Sequence, residues 1–145
     1  MRNKAKVLVV DDQMAVALTM VYLLTRAGFV AEAALSAEKA LQLAQMEDFD
    51  LITLDINMPG IGGFELFQRL KEIPHSKRPP VIFVSGFATD KDRQRALELG
   101  AVDFVEKPFE ATDFIFRIVS HTKAKDWRST DSLSEKAGFE NTAFN

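Results

Sequence analysis

The sequence predicts a single α/β domain in which a parallel β-sheet is covered by helices on both faces. Its 145 residues fit one domain and are enough to bury a full hydrophobic core. Short apolar runs alternate with helical patterns five times along the chain. Strands that alternate with helices of about 10–15 residues are typical of βαβ units, which build parallel sheets.

Five short runs of apolar and β-branched residues are predicted as strands. The first run ends directly before an acidic pair, and two prolines precede the fourth. The predicted strands are Ala5–Val10, Phe29–Ala34, Leu51–Leu54, Val81–Val84 and Val102–Val105.

Helical spacing of apolar residues fills the segments between and after these strands. Glycines follow the first and fourth helices, Ser36 is the predicted N-cap of the second, and Thr89 and Asp90 are candidate caps of the fourth. The predicted helices are Gln13–Ala27, Ala37–Met46, Gly63–Ile73, Asp92–Leu99 and Glu110 to about Lys123.

The first helix carries two apolar stripes. One is predicted to face the sheet and comprises Val16, Met20, Leu23 and Ala27. The other comprises Met14, Leu18, Val21 and Tyr22. The sequence leaves three alternatives for this second stripe: a docking surface, a surface under the C-terminal tail, or ordinary apolar surface.

Composition excludes several classes of protein. A net charge of -3, from 18 basic and 21 acidic residues, argues against direct binding of nucleic acid. The absence of cysteine excludes disulfides, thiolate metal sites and a cysteine nucleophile. No apolar segment has the length of a signal peptide core or a membrane span, which predicts a soluble, cytoplasmic protein without membrane association.

Polar and charged side chains follow four of the five predicted strands. Asp11 and Asp12 follow the first, Asp55 the third, Ser85 the fourth, and Lys107 comes shortly after the fifth. The carboxyl ends of parallel strands meet at one edge of the sheet, which is where α/β proteins bind their ligands. Each residue alone has an ordinary interpretation as a helix cap, turn residue or solvated charge, but their joint occurrence predicts a functional site.

The residue types at this edge indicate phosphoryl chemistry. Oxygen ligands without histidine or cysteine favour a hard cation such as Mg²⁺. A lysine and a hydroxyl group suit a phosphoryl group, whose negative charge is spread over its oxygens. A carboxylate can act as the nucleophile and form an aspartyl phosphate. Asp55 is the best placed, because it follows the third strand and precedes a loop bounded by proline and glycine.

Four motifs resemble the receiver domain of two-component response regulators, which has a flavodoxin-like fold. They are VLVVDD at Val7–Asp12, LDINMPGIGG at Leu54–Gly63, VSG at Val84–Gly86 and DFVEKPF at Asp103–Phe109. The resemblance covers about residues 4–123 and implies a (βα)5 fold, doubly wound, with the strand order 2-1-3-4-5. It divides the chain into a receiver domain, 1–124, and a polar tail or linker, 125–145, with a short helix in the tail as the alternative.

The resemblance also implies roles for the residues at the strand ends. Asp55 would accept the phosphoryl group, and Lys107 would bind it. Mg²⁺, which Mn²⁺ could replace, would bind Asp12, Asp55 and the backbone carbonyl of Asn57 directly, while Asp11 would act mainly through water.

Further positions of the family pattern concern switching and the lifetime of the phosphoryl group. Ser85 and Phe104 would be the switch residues, although a phenylalanine cannot form the outward hydrogen bond of a tyrosine at this position. The Lys107–Pro108 peptide bond would be cis, whereas base rates alone favour trans. Asn57 and Phe87 match positions that tune dephosphorylation.

The function implied is a signalling switch, not an enzyme, that catalyses only its own phosphorylation and dephosphorylation. Its phosphodonor would be a histidine kinase or phosphotransfer protein, and its output face would run from the fourth to the fifth helix. The downstream target is left open, and a homodimer through that face is possible. The sequence also leaves open whether this is a stand-alone receiver or a piece of a longer protein.

Two alternatives come from other functional classes. One is an interaction module that binds partners regardless of phosphorylation. The other is a Mg²⁺-dependent phosphatase with an aspartyl nucleophile. Phosphatases of the haloacid dehalogenase group place an Asp-x-Asp motif on the first strand and carry a cap domain, whereas Asp11 and Asp12 are adjacent here.

Overall fold

Five strands and five helices alternate along residues 4–74 and 78–122, the parts of the chain that the computed structural model describes. The strands are Lys6–Val10 (β1), Val30–Ala34 (β2), Leu51–Leu54 (β3), Val81–Ser85 (β4) and Asp103–Glu106 (β5). The helices are Met14–Arg26 (α1), Ala37–Met46 (α2), Gly63–Glu72 (α3), Asp90–Glu98 (α4) and Ala111–Thr122 (α5). Number, order and type of the elements are those predicted, and most bounds differ by one or two residues.

The strands form one parallel sheet in the order β2-β1-β3-β4-β5, which confirms the predicted fold class. Alternate residues of β1 point to opposite faces: Val7 and Val9 join a hydrophobic cluster with α1 and α5, while Leu8 and Val10 join a second cluster with α2, α3 and α4. Because both faces are covered, the central strands β3 and β4 are buried along their whole length and are mostly apolar, with Thr53 and Ser85 as the polar exceptions.

The last backbone hydrogen bonds of the sheet position the polar residues at its carboxyl edge. The strand order reverses between β1 and β3, which opens a crevice at their carboxyl ends. Backbone N–H groups at this edge donate to the neighbouring strand, from Asp11 to Ala34 (3.1 Å), from Asp55 to Val10 (3.1 Å) and from Lys107 to Ser85 (3.0 Å). Three side chains of the predicted site are thereby fixed by the sheet itself.

The prediction of which stripe of α1 faces the sheet is partly wrong. The buried residues are Ala17, Met20 and Leu24, while Val16 and Leu23 are half-buried and Ala27 is exposed. Almost every residue from 15 to 24 is apolar, so the sequence pattern does not reveal which side packs. The small side chain of Ala17 suits the closely packed side.

The second stripe of α1 is largely exposed in the described structure. Met14, Leu18 and Tyr22 are 58%, 53% and 58% exposed, and Val21 is half-buried against the cluster on the α1 side. The tail that could cover this stripe, 125–145, lies outside the described residues, as does the end of the predicted fifth helix at Lys123.

The fourth helix begins at Asp90, two residues earlier than predicted. Its N-cap is Thr89, whose hydroxyl accepts a hydrogen bond from the backbone N–H of Asp92 (3.1 Å) while the Asp92 carboxylate accepts one from the backbone N–H of Thr89 (3.0 Å). Only Ala96 of this helix is buried. Among the described residues, no helix is long and apolar enough to cross a membrane.

A buried hydroxyl on β3 gives a first test of the fold. Thr53 is buried, and its Oγ1 has no hydrogen-bond partner within the described ranges. We expect Thr53→Val to raise the free energy of unfolding by about 1 kcal/mol, because it removes an unpaired polar atom at nearly constant volume. Urea unfolding measures the change. The control is Thr122→Val, since the buried Thr122 hydroxyl donates to the Ile118 carbonyl (3.0 Å); equal losses in both variants would contradict the prediction.

Candidate functional site

Three carboxylates meet at the crevice between β1 and β3. Asp11, Asp12 and Asp55 each offer an oxygen atom, and these atoms lie within 4.8 Å of one another. Asp11 and Asp55 are buried, whereas Asp12 lies nearer to solvent. Like charges this close repel one another, so the arrangement requires compensating positive charge.

Lys107 provides part of that charge from the loop after β5. Its Nζ lies 2.6 Å from Asp11 Oδ2 and 3.3 Å from Asp55 Oδ2. Burial opposes the charged form of this lysine, but the hydrogen bond to Asp11 and the charges of both carboxylates outweigh it, so the pKa of Lys107 is raised. The ammonium therefore stays protonated at neutral pH.

The other carboxylate oxygen of Asp55 accepts two hydrogen bonds. Ser85 Oγ donates to Asp55 Oδ1 (3.0 Å), and the backbone N–H of Asn57 donates to the same atom (3.2 Å). Asp11 is held in a similar way by the backbone N–H of Gln13, which donates to Asp11 Oδ1 (2.9 Å). Both oxygens of Asp55 are thus oriented by neighbouring groups before any ligand binds.

The charge balance and donor set of this site fit a divalent cation. Among the described residues, the cluster holds three carboxylates and one ammonium, that of Lys107, which leaves two negative charges unbalanced. The Asp12 carboxylate has no hydrogen-bond or ion-pair partner in residues 4–74 and 78–122. All donors are oxygen atoms, the set that hard cations such as Mg²⁺ prefer.

An open cleft of about 700 Å³ leads from this cluster to the surface. Its walls come from the start of α1, the loop after β3, the loop after β4 and the loop after β5. Asn57 and Phe87 both line it, and Phe87 is 92% exposed. Ala15 and Thr19 extend the lining along α1. A group of moderate size can therefore approach Asp55 from solvent.

The structure brings together all the residues predicted at the strand ends, and it places the predicted switch residue Phe104 elsewhere. The Lys107–Pro108 peptide bond is cis, the form that the family resemblance implied. Phe104 lies away from the acidic cluster, on β5, where its half-buried ring stacks on Phe83 with centroids 6.2 Å apart. It contacts the hydrophobic cluster that includes α2, α3 and α4.

Gly63 belongs to the second sequence motif, but the motif does not indicate its steric role. A Cβ atom on Gly63 would overlap the carbonyl oxygen of Asp55 and lie 2.9 Å from the Cα of Ile56. The start of α3 therefore lies directly against the backbone of the Asp55 segment. A second missed residue is Arg93 of α4, whose guanidinium lies near the ring of Phe104. No periodic pattern in the sequence signals either contact.

Comparison with known proteins gives a family match. The family profile described as "Response regulator receiver domain" matches residues 7–119. The structure of the chemotaxis protein CheY4 of Vibrio cholerae is similar, with a TM-score of 0.77 and 28% sequence identity. The match covers 82% of this chain and 99% of that chain.

Two curated relatives share this part of their sequence. A protein named "Probable cyclic di-GMP phosphodiesterase" from Vibrio cholerae is 39% identical over 102 residues, which cover 70% of this chain and 23% of that protein. The phosphate regulon transcriptional regulatory protein PhoB of Rhizobium meliloti is 34% identical over 113 residues, which cover 78% of this chain and 50% of that protein. The chain therefore spans half or less of the length of these relatives.

The contact behind Asp55 gives a second test. We expect Gly63→Ala to lower the free energy of unfolding by roughly 2–3 kcal/mol, because the added methyl group meets backbone atoms that cannot yield easily. Urea unfolding measures the loss. Gly86→Ala is the matched control at the same edge of the sheet, since a Cβ atom there would lie 3.8 Å from Lys107 Cβ, an ordinary contact. Equal stability of the two variants would show that the close approach is absent.

Proposed function

Because this chain belongs to the family of response regulator receiver domains, we propose that it is a phosphorylation-activated signalling switch whose acceptor is Asp55. The observation that carries this proposal is the setting of the Asp55 carboxylate. One of its oxygens faces the Lys107 ammonium, and the other accepts a hydrogen bond from the Ser85 hydroxyl. A cleft connects the carboxylate to solvent, so a donor can reach it.

The reaction proposed is transfer of a phosphoryl group from a phosphohistidine of a kinase or phosphotransfer protein. A carboxylate oxygen of Asp55 attacks phosphorus, a bond forms between them, and the bond from phosphorus to the imidazole nitrogen breaks. The imidazole keeps the electron pair of that bond and takes up a proton. Lys107 would neutralise charge on the phosphoryl oxygens, a stabilisation that is strongest in a pocket sheltered from water.

The acidic cluster is proposed to hold Mg²⁺, with Mn²⁺ as a substitute. Asp12, Asp55 and the backbone carbonyl of Asn57 would bind the cation directly, and Asp11 would act mainly through water. The two unbalanced negative charges support this assignment, as does the Asp12 carboxylate, which has no partner within the described part of the chain. When bound, such a cation supplies positive charge beside the transferring phosphoryl group.

Ser85 and Phe104 are proposed to pass the change from Asp55 to the face formed by α4, β5 and α5. Ser85 is the last residue of β4 and donates a hydrogen bond to Asp55. Phe104 of β5 stacks on Phe83, which also lies on β4. Hydrolysis of the aspartyl phosphate would reset the switch. Asn57 and Phe87, which line the cleft, are proposed to tune this step.

The partner surfaces are proposed on two sides of the domain. The exposed stripe of α1 adjoins the cleft through Ala15 and Thr19, which supports docking of the phosphodonor there. A homodimer through the α4–α5 face stays a prediction, as do the cytoplasmic location and the absence of direct nucleic-acid binding. Leu97 of α4 and Phe116 of α5 are exposed and available to such a contact.

The alternatives from other classes lead to different measurements. A phosphatase would turn over a chromogenic phosphomonoester many times. An interaction module would bind its partner equally well with and without beryllofluoride, a mimic of the phosphoryl group. We do not propose phosphodiesterase activity, which is named for the Vibrio cholerae relative, because this chain matches only 23% of that protein.

Phosphorylation of the chain tests the central proposal. With Mg²⁺ and acetyl phosphate, we expect the intact mass to increase by one phosphoryl group, and we expect no increase with Asp55→Asn or after chelation of the metal. Glu65→Gln is the control, because Glu65 is a carboxylate on α3 that pairs with Arg69 outside the cluster. Phosphorylation of Asp55→Asn to the same extent would exclude Asp55 as the acceptor.

Docking of the donor on α1 has its own test. We expect Leu18→Gln to slow phosphoryl transfer about tenfold from a phosphorylated histidine phosphotransfer domain that serves the unaltered chain, because it places a polar group in the apolar contact. The rate with acetyl phosphate should stay unchanged. Leu97→Gln on α4 is the matched control, since Leu18 and Leu97 are 53% and 54% exposed. Equal rates for both variants with the protein donor would contradict docking at α1.

A further inference from the structure

The ring of Phe104 contacts both the core of the domain and helix α4. On the core side it stacks on the buried Phe83, with an angle of 25° between the rings. From α4, the guanidinium carbon of Arg93 lies 5.7 Å from the centroid of the Phe104 ring. A guanidinium at this distance is attracted by the negative face of an aromatic ring.

The same guanidinium forms two ion pairs. Its NH1 lies 2.8 Å from Asp90 Oδ1 on the first turn of α4, and its NH2 lies 2.5 Å from Glu106 Oε2 on β5. Phe104 and Glu106 are two residues apart on β5, so their side chains project to the same face of the sheet. Arg93 therefore contacts two successive side chains on one face of the edge strand.

The contact with Glu106 connects Arg93 to β5, the neighbour of the strand that carries Ser85. Glu106 pairs with Ser85 in the register of β4 and β5, and it directly precedes Lys107. Helix α4 buries only Ala96, so contacts made by its long side chains contribute much of its attachment to the sheet. A movement of Ser85 therefore occurs directly beside Glu106, the β5 residue with which Arg93 forms an ion pair.

We propose that Arg93 is a positioning residue that holds Phe104 and α4 in the arrangement of the unphosphorylated chain, and that phosphorylation of Asp55 breaks this contact. The inference rests on the proposed function. In the unmodified chain Ser85 Oγ donates to Asp55 Oδ1. A phosphoryl group on Asp55 carries its oxygens farther from the carboxylate carbon, so Ser85 and the loop leading to α4 must shift to bond to them.

The thermodynamic consequence follows from the two arrangements. A contact made only in the unphosphorylated arrangement stabilises it and opposes a ligand that binds the other one. Removal of Arg93 should therefore strengthen binding of a phosphoryl mimic, although Arg93 itself does not touch the mimic. A merely structural role would lower stability without tightening this binding.

Titration with beryllofluoride in the presence of Mg²⁺, observed by fluorine NMR, tests the inference on the full chain. We expect Arg93→Ala to lower the half-saturating concentration of beryllofluoride by roughly three- to tenfold. Loss of a partly exposed cation–π contact together with its ion pairs produces a shift of this size. Arg93→Lys should give a smaller shift, because it retains the charge but not the planar group. In a Phe104→Leu background, Arg93→Ala should have a smaller effect than in the unaltered chain.

Arg95→Ala is the matched control. Arg95 lies on the same helix and its guanidinium carbon is 4.5 Å from the centroid of the Phe64 ring, which is not a proposed switch residue. This variant should lose a similar contact and leave the half-saturating concentration unchanged. Circular dichroism would verify that each variant is folded.

The outcomes separate this inference from the function on which it rests. If the unaltered chain binds beryllofluoride but Arg93→Ala binds it equally or more weakly, the role of Arg93 is wrong and the proposed function stands. Equal tightening by Arg93→Ala and Arg95→Ala would also overturn the role of Arg93. If the unaltered chain binds no beryllofluoride at all, both proposals fail.

Discussion

The ion pairs of Lys107 are the interaction on which the carboxyl edge of the sheet depends. Two buried carboxylates cannot remain charged side by side without a nearby cation, and one ammonium reaches both of them. Because Asp11, Asp55 and Lys107 follow three different strands, their attraction also ties the strand ends together across the sheet. The negative charge that remains unbalanced favours binding of a cation at the same place.

The fold and the site use the same hydrogen bonds. The backbone N–H groups of Asp11, Asp55 and Lys107 each complete a strand ladder, so the positions from which their side chains project cannot shift without loosening the sheet. Ser85 ends β4, and its hydroxyl donates a hydrogen bond to the Asp55 carboxylate. The residues after it lead into α4, the most weakly buried helix on that face. The sheet thus fixes the backbone of the proposed acceptor Asp55, and the loop after Ser85 connects it to the sparsely buried α4.

The sequence predicted the elements that follow from local patterns and from strand ends. Alternating runs and terminal acids were sufficient for the sheet and for the cluster at its edge, because a parallel sheet brings carboxyl ends together. The packed side of α1 was not predictable from a nearly uniform apolar run, so Ala17 was missed. The contacts of Gly63 and Arg93 depend on how separate elements approach one another, and no spacing within either segment encodes that approach.

The sparse burial of α4 has an evolutionary consequence. A helix that contributes a single buried alanine to the core can exchange those exposed residues that contact no neighbouring element at little cost in stability. The chemistry at the strand ends, in contrast, is constrained by buried charges and close backbone contacts. If α4 contacts the downstream target as proposed, related chains can acquire new targets through substitutions in α4 while the residues at the strand ends stay the same. Signalling pathways can then diverge without a change in the reaction that drives them.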